Sequence, residues 1–182
     1  MSILWYCGML KLLTLIMRLV QLLKRQSRST AHLTERYGRE SWAVITGGSD
    51  GIGLEMAKEL SRRHFNIVII ARNPEKLKVA SASITKTNIK TQVKTIEFDF
   101  SRTIAIEDYQ RLIVDQIQDL DVSLLVNNVG TMLPGDFEQV SLVKHKEMID
   151  VGIVPSTLLT KLLMAKMLGR PRRTGVMFVT SA

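Results

Sequence analysis

A chain of 182 residues, 46% apolar and 23% charged, is long enough for one ordinary globular domain and a short appendage. A single cysteine, Cys7, excludes a disulfide framework and a cysteine-rich zinc site, and His32, His64 and His145 lack metal-ligand spacing, so no metal is expected. The formal charge of +8 does not point to nucleic acid: Lys11, Arg18, Lys24, Arg25 and Arg28 all precede the first acid, Glu35, and no aromatic residues interleave with basic ones.

Residues 1–34 read as a membrane-associated helix and linker. Ser2 to Leu23 is rich in Leu, Ile, Met and Val, with Trp5 and Tyr6 near its start. Lys11 and Arg18 interrupt the run, and each costs about 2.5 to 3.5 kcal/mol near a bilayer centre. The polar positions Lys11, Thr14, Arg18, Gln21 and Arg25 fall three and four apart, lining one face of an amphipathic helix. A helix lying in the lipid interface satisfies this stripe better than a clean span does. A tilted span with snorkelling cations and a mitochondrial presequence, which is also basic and acid-free, are the alternatives. A secretory signal fits less well, because charge breaks its apolar core. Lys24 to Thr34 is polar and reads as a linker.

Residues 35–182 read as an α/β domain with a Rossmann-like, doubly wound parallel sheet. Ala43-Val44-Ile45 is a short apolar strand ending in Thr46-Gly47-Gly48-Ser49-Asp50-Gly51-Ile52-Gly53, after which helix formers begin. Ile52, Met56, Ala57 and Leu60 recur at helical spacing, and Ile67-Val68-Ile69-Ile70 is the continuous β-branched run of a strand buried on both faces. Strand, glycine turn, helix and second strand form a βαβ unit built for a dinucleotide pyrophosphate. In it Gly47 permits the tight turn, Gly51 lets backbone approach the phosphates, and Gly53 lets the helix pack closely. The helix N-terminus offers free N–H groups and its positive dipole end. The residue about twenty positions on reports on the adenosine ribose, and the strand there ends in Ala71-Arg72-Asn73. Arg72 favours a 2′-phosphate and hence NADP(H), against the plainer reading of a solvated strand-end residue.

Further strands are predicted near Gln92–Phe98, Val122–Asn127 and Gly175–Thr180, and helices over Gly51–Arg63, Pro74–Ser83, Ile104–Leu120 and Ser141–Leu168. Gly152 and Pro155 lie inside the last of these helices, where glycine and proline cost about 1 and 3 kcal/mol relative to alanine, so a kink is expected. Arg170-Pro171-Arg172-Arg173 admits contact with CoA phosphates, but a solvated loop is the simpler reading.

The stretch Thr46 to Gly53, with its Thr-Gly-x-x-x-Gly-x-Gly pattern, resembles the short-chain dehydrogenase/reductase family. Asp99 matches the family's acid beside the adenine, and Asn127-Asn128-Val129-Gly130 matches its Asn-Asn-x-Gly segment. The likeness runs from Tyr37 to Ala182. Tyr37-Gly38, Ser41-Trp42-Ala43-Val44, Ser49-Asp50-Gly51-Ile52-Gly53 and the valine of Asn-Asn-Val-Gly look like the membrane-associated 17β-hydroxysteroid dehydrogenase and very-long-chain 3-ketoacyl-CoA reductase group. The resemblance implies NADPH-dependent reduction of a keto group on a long acyl-CoA or a steroid at the endoplasmic reticulum membrane; the presequence-like N-terminal segment leaves a mitochondrial location as the alternative. A 3-ketodihydrosphingosine reductase is a second candidate. Carried over residue by residue, the cofactor contacts are Thr46, Gly47, Ser49, Asp50, Gly51, Ile52, Gly53, Arg72, Asp99, Asn127, Val129 and Gly130.

Catalysis is where the resemblance thins. The family protonates the carbonyl with a tyrosine whose pKa is lowered by a lysine four residues later. Ser181 matches its substrate-orienting serine, Gly152 stands where its asparagine belongs, and the sequence stops at Ala182, before the tyrosine and lysine. Tyr37 and Tyr109 are followed at i+4 by Ser41 and Ile113, not by lysine. The fold is therefore expected to be C-terminally incomplete, inactive alone, and left with an exposed fifth strand that invites a partner. A true non-catalytic relative that binds a nucleotide or a partner at a membrane is the competing expectation.

Overall fold

The structure is a computed structural model and describes residues 9–18, 20, 33–102 and 105–180. By internal contacts the chain forms two units, Met1–His32 and Leu33–Ala182. In the first, residues 9–18 form helix α1, exposed along its length, and Thr14 Oγ1 donates to the Lys11 carbonyl at 2.8 Å. The expected membrane-seeking run extends beyond the described residues at both ends, so Trp5, Tyr6, Gln21 and Arg25 lie outside them.

The second unit begins with a short helix, α2 (Leu33–Tyr37), and then alternates strand and helix. Five strands, β1 (Trp42–Thr46), β2 (Asn66–Ala71), β3 (Val93–Glu97), β4 (Val122–Asn127) and β5 (Gly175–Phe178), form one all-parallel sheet in the order β3-β2-β1-β4-β5. Helices α3 (Gly51–Arg62) and α4 (Pro74–Thr87) cover one face. Helices α5 (Ile106–Tyr109), α6 (Leu142–Gly152) and α7 (Val154–Leu168) belong to the other, with α5 running on through a wide π turn (Gln110–Val114) and a tight turn (Asp115–Ile117). This is the doubly wound arrangement expected from the sequence.

The strand alternation divides the core in two. Ala43, Ile45, Ala57, Ile67, Ile69, Leu77, Ala80 and Ile84 pack on the α3/α4 side, while Val44, Val68, Ile70, Leu125, Leu159 and Leu163 pack on the other. All six residues of β2 are buried, as a central parallel strand requires. Each Ile or Val there contributes about 1.5 to 3 kcal/mol of burial. The β1/β4 register slips between Trp42 and Ala43, and the buried hydroxyls of Ser41 and Ser123 meet there at 2.7 Å.

Two elements differ from expectation, and a third shows the expected kink. Helix α4 runs four residues past Ser83, because Ile84 is fully buried and the Thr87 hydroxyl reaches Ser61 Oγ at 2.9 Å. The predicted helix over Ile104–Leu120 changes pitch; its wide turn brings the adjacent Ile113 and Val114 both onto the sheet. The helix over Ser141–Leu168 is broken at Ile153, with Pro155 in the first turn of α7, where its missing N–H costs nothing.

Leu142–Leu168 is long and apolar enough to cross a membrane. Leu159, Leu163 and Met167, at most 3% exposed, pack one face of α7 on the sheet, while Met164 and Leu168 are exposed. Strand β5 is the sheet's outer strand in this unit, with Val176, Met177 and Phe178 exposed.

Candidate cofactor cleft

Strand order reverses between β1 and β4, so the loops leaving their C-terminal ends diverge and open a crevice. A cleft of about 360 Å³ occupies this place. Gly47, Ser49 and Asp50 line it from the first loop, Arg72, Asn73 and Lys76 from the second, Asp99 and Ser101 from the third, and Val129, Gly130 and Thr131 from the fourth.

The glycine loop is held by backbone and sterics. Gly47 has φ +66, a left-handed conformation that favours glycine, and its N–H donates to the Ile70 carbonyl at 2.8 Å. Gly51 has φ +54, and a Cβ there meets nothing within 4 Å, so this backbone faces open space, as close approach to a phosphate requires. Asp50 caps α3, accepting the Gly51 N–H at 2.8 Å. Gly48, not among the predicted contact residues, is required by packing: a Cβ on it would stand 2.5 Å from Ile69 Cγ2.

Of the predicted contact residues, Gly47, Ser49, Asp50, Arg72, Asp99, Val129 and Gly130 line the cleft, and Gly51 and Ile52 line an adjoining groove. Thr46, Gly53 and Asn127 do not line it: they build it from behind. Thr46 Oγ1 accepts the N–H groups of Asn128 and Val129, each at 3.0 Å, and so fixes the β4 loop against β1. Asn128 Nδ2 donates to the carbonyls of Thr46 and Gly47, a bracing role with no local signal in the sequence. The Asn127 side chain turns instead to Thr160 on α7, 3.1 Å away, and its buried Oδ1 has no partner among the described residues. Ser181 lies outside the described residues.

Charge around the cleft is uneven. Burial pushes the Asp99 carboxyl up, but hydrogen bonds from the Ser101 hydroxyl and N–H, with the positive charges of Arg72 and Arg102, outweigh it and hold Asp99 below the usual carboxylate value. Arg72 is exposed at the rim and makes no hydrogen bond or ion pair among the described residues. Lys76 was not anticipated. Its ammonium reaches Asp50 Oδ2 at 2.7 Å.

Neither described tyrosine has the character of a carbonyl acid. Tyr109 is buried against Phe98 and Phe100, and burial, with the charge of Asp150 adding to it, pushes its hydroxyl up to about 12. The Tyr37 ring lies 3.4 Å from a Cβ built on Gly175, at the start of β5 and away from the cleft. Arg170 is a clamp at that same end of the sheet: its side chain, 7% exposed, holds Asp121 with two nitrogens and donates to the Tyr37 carbonyl at 2.9 Å.

The family model for short chain dehydrogenases matches residues 41–182. The chain belongs to the short-chain dehydrogenase family. It is 38% identical over 134 residues to a very-long-chain 3-oxoacyl-CoA reductase of Coccidioides immitis (strain RS), covering 72% of this chain and 38% of that one. It is 37% identical over 147 residues to the human inactive hydroxysteroid dehydrogenase-like protein 1, covering 79% and 42%. Among solved structures, the L-sorbose reductase of Gluconobacter frateurii complexed with NADPH and L-sorbose superposes with a TM-score of 0.68 at 23% identity, over 77% of this chain and 52% of that one. That likeness shows the fold. This short-chain dehydrogenase spans under half the length of these curated relatives.

Proposed function

We propose that the chain is the NADP(H)-binding part of an oxidoreductase that reduces a keto group of a lipid, a 3-ketoacyl-CoA or a 17-ketosteroid, at the endoplasmic reticulum membrane. The observation that carries the reading is the cleft at the β1/β4 switch point, with the open backbone of Gly51 beside it and Arg72 at its rim. Gly47, Ser49 and the first turn of α3 would hold the pyrophosphate, Asp99 the adenine side, and Arg72 the 2′-phosphate. The bound nicotinamide supplies hydride chemistry. Residues of this chain bind and orient the cofactor; neither Tyr37 nor Tyr109 donates the proton, so the chain alone is expected to be inactive. The lipid substrate and the membrane site rest on the apolar N-terminal segment and on the names of the relatives.

Thermal melting of the full chain in detergent, with and without NADPH and NADH, tests this. A ligand at a hundred times its Kd stabilises the native state by about 2.7 kcal/mol, or about 5 to 10 °C for a domain of this size. A shift with NADPH that exceeds the shift with NADH is the expected result. No shift with either nucleotide sinks the reading.

A second reading, a membrane-associated relative that binds nucleotide or a partner without turnover, is favoured by one observation. Helix α6 ends at Gly152, the position matching the family's catalytic asparagine, and a Cβ there meets nothing within 4 Å, so packing does not demand the glycine.

A further inference from the structure

The two ends of the sheet carry different surfaces. Where the strands finish lies the cleft, whose loops are acidic on balance, with Asp50, Glu75, Asp99, Asp136 and Glu138 among them. Where the strands begin, about 17 Å away at the rise of an extended chain, the balance is positive. Arg36 and Arg39 stand there before β1, and Arg172 and Arg173 in the turn before β5. All four are exposed, and none forms an ion pair among the described residues. The acids of this end are Glu35, Glu40, Asp119 and Asp121, and Asp121 is taken up by Arg170.

The arginines are held together by the fold. Arg170 donates to the carbonyl of Tyr37 at 2.9 Å and to that of Arg173 at 3.1 Å, so it ties the end of α2 to the basic turn. Arg172 lies over Gly38, which has φ +104: a Cβ there would stand 3.5 Å from Arg172 Cδ and 3.2 Å from Arg170 Nη2. Arg36 covers the Tyr37 ring, 5.5 Å from its centre. Helix α2 is also the first element of this unit in chain order. Immediately before it come the polar linker with Lys24, Arg25 and Arg28, and before that the apolar run. The basic end is thus the end nearest along the chain to the membrane-seeking segment.

We propose that this end of the sheet, through Arg36, Arg39, Arg172 and Arg173, docks on the phosphates of an anionic lipid surface, so that the cofactor cleft opens away from the membrane. The inference rests on the membrane reading above and adds an orientation to it. Guanidinium groups donate in pairs to phosphate oxygens, which suits arginine to a headgroup layer. The attraction of an anionic bilayer reaches only about a Debye length, about 8 Å, so the end that approaches is the end that gains. The opposite orientation brings the acidic loops of the cleft to the same surface and is repelled.

The test uses the full chain, with Cys7→Ser, carrying one fluorescent label at either Gly169→Cys, beside the basic turn, or Gln139→Cys, at the cleft end. Gly169 has φ −71, and a Cβ on it meets only the carbonyls of Ala165 and Lys166, at 3.5 and 3.6 Å, so the substitution is accommodated. Each protein is reconstituted into vesicles of phosphatidylcholine, alone or with a third phosphatidylserine, that contain a lipid with a quencher on its headgroup. Quenching at position 169 is expected to exceed that at position 139, to rise with phosphatidylserine and to fall in high salt. One cation at an anionic surface changes the docked population about fivefold, so Arg172→Gln with Arg173→Gln is expected to lower the docked-to-undocked ratio at least about tenfold, with the melting temperature unchanged. Lys78→Gln with Lys144→Gln removes as much exposed charge elsewhere and is expected to leave the ratio as it is. Equal quenching at the two positions, more at position 139, or an equal effect of the two charge pairs overturns the orientation. So does binding of coenzyme A to the full chain in detergent that the arginine substitutions abolish, because the turn then serves a soluble phosphate. A chain that fails to float with vesicles of either composition overturns the membrane reading, and the docking with it.

Discussion

Gly53 packs on the carbonyl oxygen of Gly47: a Cβ at position 53 would stand 2.4 Å from that oxygen and 2.5 Å from Asn128 Nδ2. One contact thereby joins the first turn of α3, the end of β1 and the loop after β4. Gly53→Ala must push these apart, at about 1 to 3 kcal/mol for an overpacked site. Gly51→Ala meets open space and bears only the left-handed strain of φ +54, about 1 to 2 kcal/mol. Circular-dichroism melts should rank Gly53→Ala below Gly51→Ala in stability. Both variants should lose the melting shift produced by NADPH.

Helix α3 closes with His64 at φ +64, where its N–H donates to the Ser61 carbonyl and the Phe65 N–H to the Leu60 carbonyl. That is a Schellman ending with Phe65 fully buried behind it, built on a residue with a Cβ where glycine is favoured. His64→Gly should relieve the strain at the cost of unfolded-chain entropy, for a net gain of up to about 1 kcal/mol. A lower melting temperature would show that the contact of His64 Nδ1 with Asn88, at 3.4 Å, outweighs the strain.

The Asp121–Arg170 pair gives stability a specific pH dependence. The hydrogen bond from Arg170 chiefly, with Lys166 and Arg172 nearby, holds the Asp121 carboxyl below its usual value against burial. A carboxylate with a depressed folded pKa contributes stability that is present above its unfolded pKa, about 3.9, and lost as pH falls through the folded value. The advantage of the wild type over Asp121→Asn should therefore be constant near neutrality and vanish as pH falls below about 4. Asp121 is 61% exposed, which limits that advantage to about 1 kcal/mol. Arg170→Met should cost more, about 1 to 3 kcal/mol, because the carbonyls of Tyr37 and Arg173 lose their donor. Urea denaturation across pH 2 to 7 measures both.

Gly152→Ala should stabilise the chain by about 0.5 to 1 kcal/mol, since the backbone there is helical and the new Cβ has room. Gly152→Asn should be tolerated, with a melting temperature within a few degrees of the wild type. Marked destabilisation by either would show that packing, not the loss of a catalytic group, keeps the glycine.

The parallel sheet was legible because β1 and β2 are continuous apolar runs and the turn after β1 is dense in glycine. Both signals are local. Arg72 was legible because it follows a strand end at a fixed distance from that turn. Lys76 was not, because it meets Asp50 only after β2 lies beside β1 and α4 starts on the same side as α3. The end of α4 was hidden for a related reason: Ser81, Thr85 and Thr87 are poor helix formers, and the polar cluster of Thr87, Asn88 and Thr91 around Ser61 holds the segment instead. That the Asn127 side chain turns to α7 was hidden because one register position decides whether a strand-end side chain faces the cleft or that helix.

Sequence by itself determined the βαβ unit, the break at Gly152 to Pro155 and the family, since periodicity, glycine spacing and proline act over a few residues. Only the tertiary structure decided which of Thr46, Gly53, Asn127 and Asn128 brace the loops rather than line the cleft, and that Asp50 has a lysine partner. Those are properties of distances between chain segments, and the sheet order sets them.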